Sequence, residues 1–160
     1  EMCIRDSPGT GISYTTSNRG ACHLNGGDVD RQNANALKDS LAICFFATGW
    51  GGFDTNQLIE FVNAITGSSW DENSFKKAGE RIFNLEKMIN IREGFTAEDD
   101  VLPERFYTEA LSSGPKKGAI LNRDEFAEKL LEYYKSRDWD ISSSKPSEKK
   151  LKELSLDFLI

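Results

Sequence analysis

The sequence predicts a mostly α-helical, irregular multi-helix domain with a loop-rich segment at its N-terminal end. From residue 31 onward, apolar residues recur at spacings of three and four, which places them on one face of a helix. Residues 8–35 are instead rich in Gly, Asn, Asp, Ser and Thr and have no sustained apolar period. We therefore expect a leader over residues 1–7, the loop-rich segment over residues 8–35 and a helical domain over residues 36–160.

The loop-rich segment and the first helix follow each other directly. Within the segment, Ile12-Ser13-Tyr14 alternates like the end of a strand. The first helix is predicted from Ala34, Leu37, Leu41 and Cys44, which lie three, four and three residues apart. These four residues are expected on one helical face.

Four further helices are predicted from their capping residues. Asp54, with Gln57 three residues later, begins the second helix, and Gly67 ends it. Residues 93–121 are punctuated by glycine and proline and predict an irregular wrap. The later helices are expected to begin at Asp71 or Asn73, at Asn122 and at Ser147. The residues predicted to face inward are Leu58, Phe61, Val62 and Ile65 in the second helix and Phe75, Ala78, Ile82, Leu85 and Ile89 in the third.

The composition excludes several classes of protein. The chain has 160 residues, of which 38% are hydrophobic and 29% charged, as in an ordinary globular domain. No apolar stretch approaches the roughly 18 residues that a membrane-spanning helix needs. The net charge of −6 argues against broad nucleic-acid binding, which needs a basic face to neutralise phosphates. We expect a cytoplasmic protein without membrane or nucleic-acid partners.

The cysteines constrain any metal centre. Cys3, Cys22 and Cys44 are odd in number and widely spaced, which disfavours a disulfide framework. Three thiols are one short of a four-thiolate iron–sulfur site. Residues 1–7 lack the layout of a signal peptide and resemble a translated sequencing adapter, so we exclude Cys3 from the site. If a metal centre is involved, part of it lies outside this chain.

Three residues are candidates for chemistry, and each has a plain structural alternative. His23 is the one histidine, the default proton-transfer group near neutral pH, although a lone histidine in a polar loop usually has no such role. Cys44 lies among apolar residues, where a free cysteine is usually a small buried hydrophobe. Asp39 precedes Cys44 by five positions, so on a continuous helix the two side chains would point about 140° apart. Both can serve one site only if the helix ends or distorts between them.

Several short segments follow one another in an order that is typical of a known family. They are Ser17-Asn18-Arg19-Gly20-Ala21-Cys22-His23-Leu24, then Asp39-Ser40 with Cys44, then residues 79–86, 92–95, 99–106, 113–118, 133–134 and 137–139. Together these segments resemble the C-terminal part of aldehyde ferredoxin oxidoreductases, which are tungsten–pterin enzymes with a 4Fe-4S cluster. The resemblance runs from about residue 9 to the end of the chain.

The resemblance implies roles for three residues. Cys44 matches the cysteine that gives the fourth thiolate to the 4Fe-4S cluster, whose other three thiolates come from a Cys-x2-Cys-x3-Cys segment far upstream. Asp39 matches the acidic residue of the pterin-contacting segment. His23 matches the histidine near the metal, a candidate proton donor or acceptor in aldehyde oxidation. Cys22 is its neighbour in the motif and receives no role.

The family also implies cofactors and partners that need residues or proteins outside this chain. The cofactors would be a tungsten (or molybdenum) bis-pterin and the 4Fe-4S cluster. The partners would be ferredoxin, an aldehyde substrate and the N-terminal domains of the same protein, with a homodimer left open. The chain is then a fragment of a larger enzyme, and we expect the isolated 160 residues to bind no cluster and to oxidise no aldehyde.

Two departures from the family pattern concern the site itself. Only 15 residues separate His23 from Asp39, whereas the family has a longer, partly helical excursion there. Ala42 stands where the family usually has glycine in Asp-x-x-Gly-x-Cys. If that glycine supplies a positive φ that lets Asp39 and Cys44 face one cofactor, alanine costs roughly 1 to 2 kcal/mol.

Two other functions remain open at this point. A member of the same family that reduces an aromatic thioester would share this architecture. A cofactor-free helical interaction module, with Cys44 as an ordinary core residue, would belong to another class altogether.

Overall fold

The regular structure of the chain is helical. The computed structural model describes residues 8–22, 24–49 and 52–160, and in these ranges it contains no strand, only an isolated bridge between Trp139 and Pro146. No helix in these ranges is long and apolar enough to cross a membrane. Short 3-10 helices cover Ala97–Asp99 and Asp157–Leu159. The α-helices are α1 (Pro8–Thr15), α2 (Val29–Ser40), α3 (Phe45–Gly49), α4 (Thr55–Thr66), α5 (Glu72–Arg92), α6 (Arg105–Thr108), α7 (Arg123–Arg137) and α8 (Glu148–Glu153). The predicted mostly α class is confirmed.

The N-terminal segment is more helical than its composition predicts. Ile12–Tyr14 lies inside α1, so the predicted strand end is wrong. The helix forms because Ile12 is buried in the same cluster as Phe126 and Tyr133 of α7, and this packing outweighs a weak local preference. α2 begins at Val29, five residues before the predicted apolar stripe, because Asp28 accepts a hydrogen bond from the Arg31 N–H. Turns and bends are confined to the part of the segment between α1 and α2.

The predicted caps of the later helices are confirmed. Asp54 and Gln57 form a capping box at α4, which Gly67 ends in the left-handed conformation at φ +69°. Asp71, rather than Asn73, caps α5. Asn122 and Ser147 accept hydrogen bonds from the first turns of α7 and α8. These starts were predictable because each depends on residues within one turn.

The predicted inward stripes are only partly confirmed. In α4, Leu58 is buried, but Phe61 and Ile65 are 48% and 82% exposed. In α5, Ile89 is 43% exposed, whereas Phe83 is buried. Periodicity identifies the apolar face of a helix, and whether that face is covered depends on its neighbours.

The close crossing of α2 and α5 sets the geometry of the site. A side-chain Cβ on Gly79 of α5 would lie 2.5 Å from the Asn33 carbonyl oxygen of α2, so only glycine permits this approach. Beyond the crossing, the polar residues Asn35 and Asp39 of α2 face the same space as Glu86 and Asn90 of α5. The segment between α1 and α2 lies over this space.

A buried polar network joins α2 to α7. The Tyr133 hydroxyl donates to Gln32 Oε1 at 2.7 Å, and the same oxygen accepts from Arg137 Nη2 at 2.7 Å. The buried Arg137 guanidinium also lies 4.0 Å from the centre of the Phe83 ring, a cation–π contact with α5. These contacts fix the side of α2 that carries Gln32.

Candidate functional site

A pocket of about 240 Å³, lined by both polar and apolar side chains, lies between α2, α5 and the segment that follows α1. Carboxamides are the commonest polar groups in its wall, together with two carboxylates and one guanidinium. The polar lining residues are Ser17, Asn18, Arg19, Asn25, Gln32, Asn35, Asp39, Glu86 and Asn90. Such a wall offers both donors and acceptors at short spacing, which suits a polar heterocyclic ligand.

Asp39 lies in the last turn of α2 and is tied to the segment above it. Its Oδ2 accepts a hydrogen bond from Asn25 Nδ2 at 3.0 Å. The same oxygen lies 3.5 Å from Arg19 Nη1. A carboxylate at a helix C-terminus is disfavoured by the helix dipole, so these two donors offset an unfavourable position. The sequence singled out Asp39, and the structure places it in the pocket wall.

The side chain of Asn18, in the segment between α1 and α2, contacts α5. Its Nδ2 donates to the Phe83 carbonyl at 2.7 Å and to Glu86 Oε2 at 3.1 Å. Asn90 Nδ2 in turn donates to the Asn18 carbonyl at 2.7 Å. Because Nδ2 has two acceptors, the orientation of the carboxamide is fixed, and this leaves Asn18 Oδ1 buried without a hydrogen-bond partner among the described residues. A buried acceptor without a hydrogen-bond partner in a pocket wall indicates that a bound ligand would supply the missing donor.

Burial raises the pKa of Glu86 above its usual value. The hydrogen bond from Asn18 lowers the pKa in part, and the negative charge of Asp39 raises it further. The pocket therefore holds two carboxylates whose environments differ.

Cys22 precedes His23 in the segment and contacts Arg19. Arg19 Nη2 lies 3.2 Å from the Cys22 Sγ. Burial raises the pKa of the Cys22 thiol, but hydrogen bonds from the Asn25 and Leu24 backbone and from Arg19 outweigh it, so the pKa lies below its usual value. No role is predicted for Cys22 from its place in the sequence, but this contact links it to the guanidinium that also pairs with Asp39.

The chain leaves α2 in a Schellman turn before it reaches Cys44. The Ala42 N–H donates to the Asp39 carbonyl at 3.0 Å, and the Ile43 N–H donates to the Lys38 carbonyl at 3.1 Å. Ala42 takes the left-handed conformation that this turn requires, at φ +55°. The helix therefore does end between Asp39 and Cys44, and the condition under which both can serve one site is met.

Cys44 is exposed and directly precedes α3. The prediction that it continues the helical face of Ala34, Leu37 and Leu41 is wrong, because α2 ends at Ser40. The alternative in which Cys44 is a buried core residue is also wrong for this chain, since the packed neighbours of Leu37 include Leu41 and Ile43 but not Cys44. No group of three or more His, Cys, Asp or Glu in the described ranges is arranged to hold a metal.

His23 lies outside the described residues, as does the leader over residues 1–7 with Cys3. Asp39 contacts Arg19 and Asn25, which belong to the segment that contains His23, and Cys44 is exposed after the end of α2. The pocket residues Asn18, Asn25 and Asn35 were not singled out from the sequence. A sequence signal exists for Asn35 alone: it precedes Asp39 by four residues, which puts both on one face of α2.

Comparison with known proteins identifies the family of this chain. A family model described as aldehyde ferredoxin oxidoreductase, domains 2 and 3, matches residues 2–156. The chain therefore belongs to the aldehyde ferredoxin oxidoreductase family.

Among its relatives is a tungsten-containing aldehyde ferredoxin oxidoreductase of Pyrococcus furiosus. It is 34% identical over an alignment of 179 positions, which covers 95% of this chain and 28% of that protein. The tungsten-containing enzyme of Thermococcus kodakarensis is 31% identical over 91% of this chain and 27% of its own length. An aliphatic sulfonate oxidoreductase, WOR-like subunit, of Pyrococcus furiosus is 33% identical over 91% of this chain and 24% of its own length. The chain thus spans about a quarter of the length of the curated relatives it matches.

Proposed function

We propose that this chain forms one wall of the active site of a tungsten-dependent oxidoreductase that oxidises aldehydes to carboxylic acids and passes the electrons to ferredoxin. The observation that carries the proposal is the pocket in which Asp39 is linked to the segment that contains His23, within a chain of the aldehyde ferredoxin oxidoreductase family. Relatives named tungsten-containing aldehyde ferredoxin oxidoreductase support the choice of metal and reaction.

The pocket fits a pterin. A pterin ring carries N–H donors beside ring nitrogen and carbonyl acceptors, and carboxamides match both kinds of group. Asn18 Oδ1 is a buried acceptor that lacks a donor among the described residues, and Asp39 is a carboxylate that can accept from ring N–H groups. These two residues would hold the ring edge, and domains outside this chain would supply the rest of the site. The bound tungsten–pterin supplies the two-electron chemistry.

Cys44 fits a cluster whose other ligands come from elsewhere. A 4Fe-4S cluster takes four thiolates, and an exposed cysteine after a helix end can be approached by three thiolates from another domain. Cys44 follows Asp39 by five residues, so the residues proposed to hold the cluster and the pterin come from the turn after α2 and from its last turn. The cluster would then relay electrons one at a time to ferredoxin.

His23 is proposed to move a proton in the reaction. Oxidation of an aldehyde with water gives a carboxylic acid, two protons and two electrons. An imidazole can accept one of these protons near neutral pH and release it to solvent. Asn25, two residues after His23, donates to Asp39 Oδ2 at 3.0 Å, and Nη1 of Arg19, four residues before His23, lies 3.5 Å from the same oxygen. The segment that carries His23 therefore contacts the carboxylate that we assign to the pterin.

The test replaces single cysteines in the full-length protein that contains this chain. Cys44→Ser should lose the visible absorbance and about a quarter or more of the iron of the cluster, because one of four thiolates is removed. Cys22→Ser is the matched control and should retain both. Full cluster absorbance in Cys44→Ser would refute the ligand role and support the cofactor-free module. Stoichiometric iron, sulfide or tungsten in the isolated 160-residue chain would refute its incompleteness.

A different substrate within the family is the second candidate. The relative named as a sulfonate oxidoreductase subunit is 33% identical to this chain, within the 31% to 34% of the tungsten aldehyde enzymes, so percentage identity does not separate substrates. Assays of the full-length protein with aldehydes, aliphatic sulfonates and aromatic thioesters distinguish them. Turnover of a thioester or a sulfonate without aldehyde oxidation would replace the first candidate.

A further inference from the structure

α4 has an apolar stripe that is buried at one end and exposed at the other. Leu58, near the start of the helix, is buried in a cluster with Leu37 of α2 and Phe75 of α5. Phe61 and Ile65 continue the stripe at spacings of three and four residues, yet they are 48% and 82% exposed. Because a helix buries its apolar face against another element, a stripe that runs out of the core indicates a further contact at its exposed end.

Phe53 extends the exposed end of this stripe. The centres of the Phe53 and Phe61 rings lie 4.9 Å apart, and the rings meet edge to face. Phe53 is itself 43% exposed. We call Phe53, Phe61 and Ile65 the α4 apolar surface. Large apolar side chains that are exposed as a group, unlike single ones scattered over a surface, mark an interaction site.

The charges of α4 indicate a permanent partner. Glu60 is the one charged residue among the twelve of α4, whereas eight of the fifteen residues of α7 are charged. At 100° per residue, Glu60 points about 100° away from Phe61 and about 140° away from Ile65, so it lies off the α4 apolar surface. Depletion of charge is typical of the core of a stable interface, and transient partners bind through more polar surfaces. The surface therefore suits a domain that stays bound better than an electron carrier that binds and leaves.

Backbone hydrogen bonds connect the α4 apolar surface to Cys44. The Ala47 N–H donates to the Cys44 carbonyl at 3.0 Å, and the Phe53 N–H donates to the Ala47 carbonyl at 3.1 Å. The chain packs so closely on α3 here that a Cβ on Gly52 would overlap the Ala47 carbonyl oxygen. Cys44 and Phe53 are therefore both bonded to Ala47, and the apolar surface begins two hydrogen bonds away from the exposed cysteine.

We propose that the α4 apolar surface is covered by the part of the same protein that brings the other cluster ligands to Cys44. This inference rests on the proposed function, in which Cys44 gives one of four thiolates, so the other three have to be held beside it. The chain aligns with about a quarter of the length of its relatives, which leaves a large part of such a protein to form this contact. An apolar contact next to Cys44 would hold the four thiolates at fixed separations and exclude water from the cluster.

Side-chain labelling by hydroxyl radicals tests whether the surface is covered in the full-length protein. Phe61 and Ile65 should react about tenfold more slowly there than in a synthetic peptide of residues 52–70, because a packed interface excludes water. Leu58, which is 3% exposed, is the buried reference in the same helix and should be protected to the same degree. Labelling of Phe61 and Ile65 in proportion to their 48% and 82% exposure would refute the contact.

A photo-cross-linking residue at position 65 identifies what covers the surface. Ile65→p-benzoylphenylalanine in the full-length protein should link to peptides of the same polypeptide that lie outside the 160 residues. The same replacement at Ile141, which is 47% exposed between α7 and α8, is the matched control and should not yield those linked peptides. Links between two copies of the protein, or to added ferredoxin, would refute the proposed partner.

A charge placed on the surface separates this inference from the proposed function. Ile65→Asp leaves Cys44 in place, and in the full-length protein it should lower the iron content of the cluster by about twofold or more, because the contact would bury an unpaired carboxylate. Ile141→Asp should retain the iron. If Cys44→Ser keeps the cluster, the proposed ligand role fails, whatever position 65 contacts. If Cys44→Ser loses the cluster but position 65 neither links outside the 160 residues nor affects the iron when charged, this inference is refuted and the proposed function stands.

Discussion

Replacement of Ala42 by glycine is expected to stabilise the protein. Ala42 is the left-handed residue of the turn that ends α2, at φ +55°, and its side chain is exposed. The left-handed conformation costs an L-residue roughly 1 to 2 kcal/mol, and glycine has no such cost. Glycine also loses more backbone entropy on folding, about 0.5 to 1 kcal/mol relative to alanine. Since no packed side chain is removed, the net expectation for Ala42→Gly is a free energy of unfolding about 0.5 to 1 kcal/mol higher.

Urea unfolding followed by far-UV circular dichroism measures this change. Thermal unfolding should show the same gain as a melting temperature about 1 to 4 °C higher for a chain of this size. Ala64→Gly is the matched control, because Ala64 is exposed within α4 and has an ordinary helical conformation. The same substitution should there lower the free energy of unfolding by about 0.5 to 1 kcal/mol. If both variants are destabilised alike, Ala42 does not carry the strain inferred from its φ.

Two further predictions concern buried charge. The Lys87 ammonium is 5% exposed and lies 3.2 Å from Asp100 Oδ2. Asp100→Asn removes the negative charge that pairs with this ammonium, so the variant should have a free energy of unfolding about 3 to 5 kcal/mol lower in urea titrations. Glu72→Gln breaks an exposed pair and should leave the urea midpoint nearly unchanged, and equal effects of the two variants would contradict the argument. Burial raises the pKa of Glu86, so its carboxyl group binds a proton more tightly in the folded state than in the unfolded chain. The free energy of unfolding therefore falls as the pH rises through the folded-state pKa. Glu86→Gln should therefore unfold at higher urea than the parent at neutral pH and at the same urea below the ordinary value of 4.5, and a gain that is independent of pH would contradict the shift.

Local signals in the sequence predicted much of the fold. The starts of α4, α5, α7 and α8 depend on one side chain and the first turn that follows it, so each could be predicted without knowing the rest of the chain. The helix α1 could not, since it depends on the burial of Ile12 against α7, more than a hundred positions away. A helix start that depends on a capping side chain can be predicted from a few neighbouring residues, whereas a short helix stabilised by tertiary packing cannot.

The candidate site divides in the same way. Asp39 was predicted through the family resemblance, and the end of α2 before Cys44 was stated as the condition for a shared site. Asn25 and Asn35 were not predicted, because a carboxamide in a polar segment has no distinctive pattern until the segment is laid on the helix it contacts. The periodicity of α4 was also insufficient, since Ile65 belongs to the apolar stripe and is exposed. In this chain the sequence pattern predicts which side chains are able to form hydrogen bonds or apolar contacts, and the tertiary structure determines which partners they contact.

The core of the molecule also explains why the pocket wall is rigid. Gln32 lines the pocket, yet its carboxamide oxygen accepts from both Tyr133 and Arg137 of α7. The buried Arg137 guanidinium, held by neutral acceptors and an aromatic face, is costly to disturb, because any movement of Gln32 would break the shorter of the two hydrogen bonds that Arg137 Nη2 donates. The position of α2 is therefore determined by α7 as well as by its crossing with α5. Asn35 and Asp39 lie on the same helix, so the position of the carboxylate that we assign to the pterin is set by these core contacts.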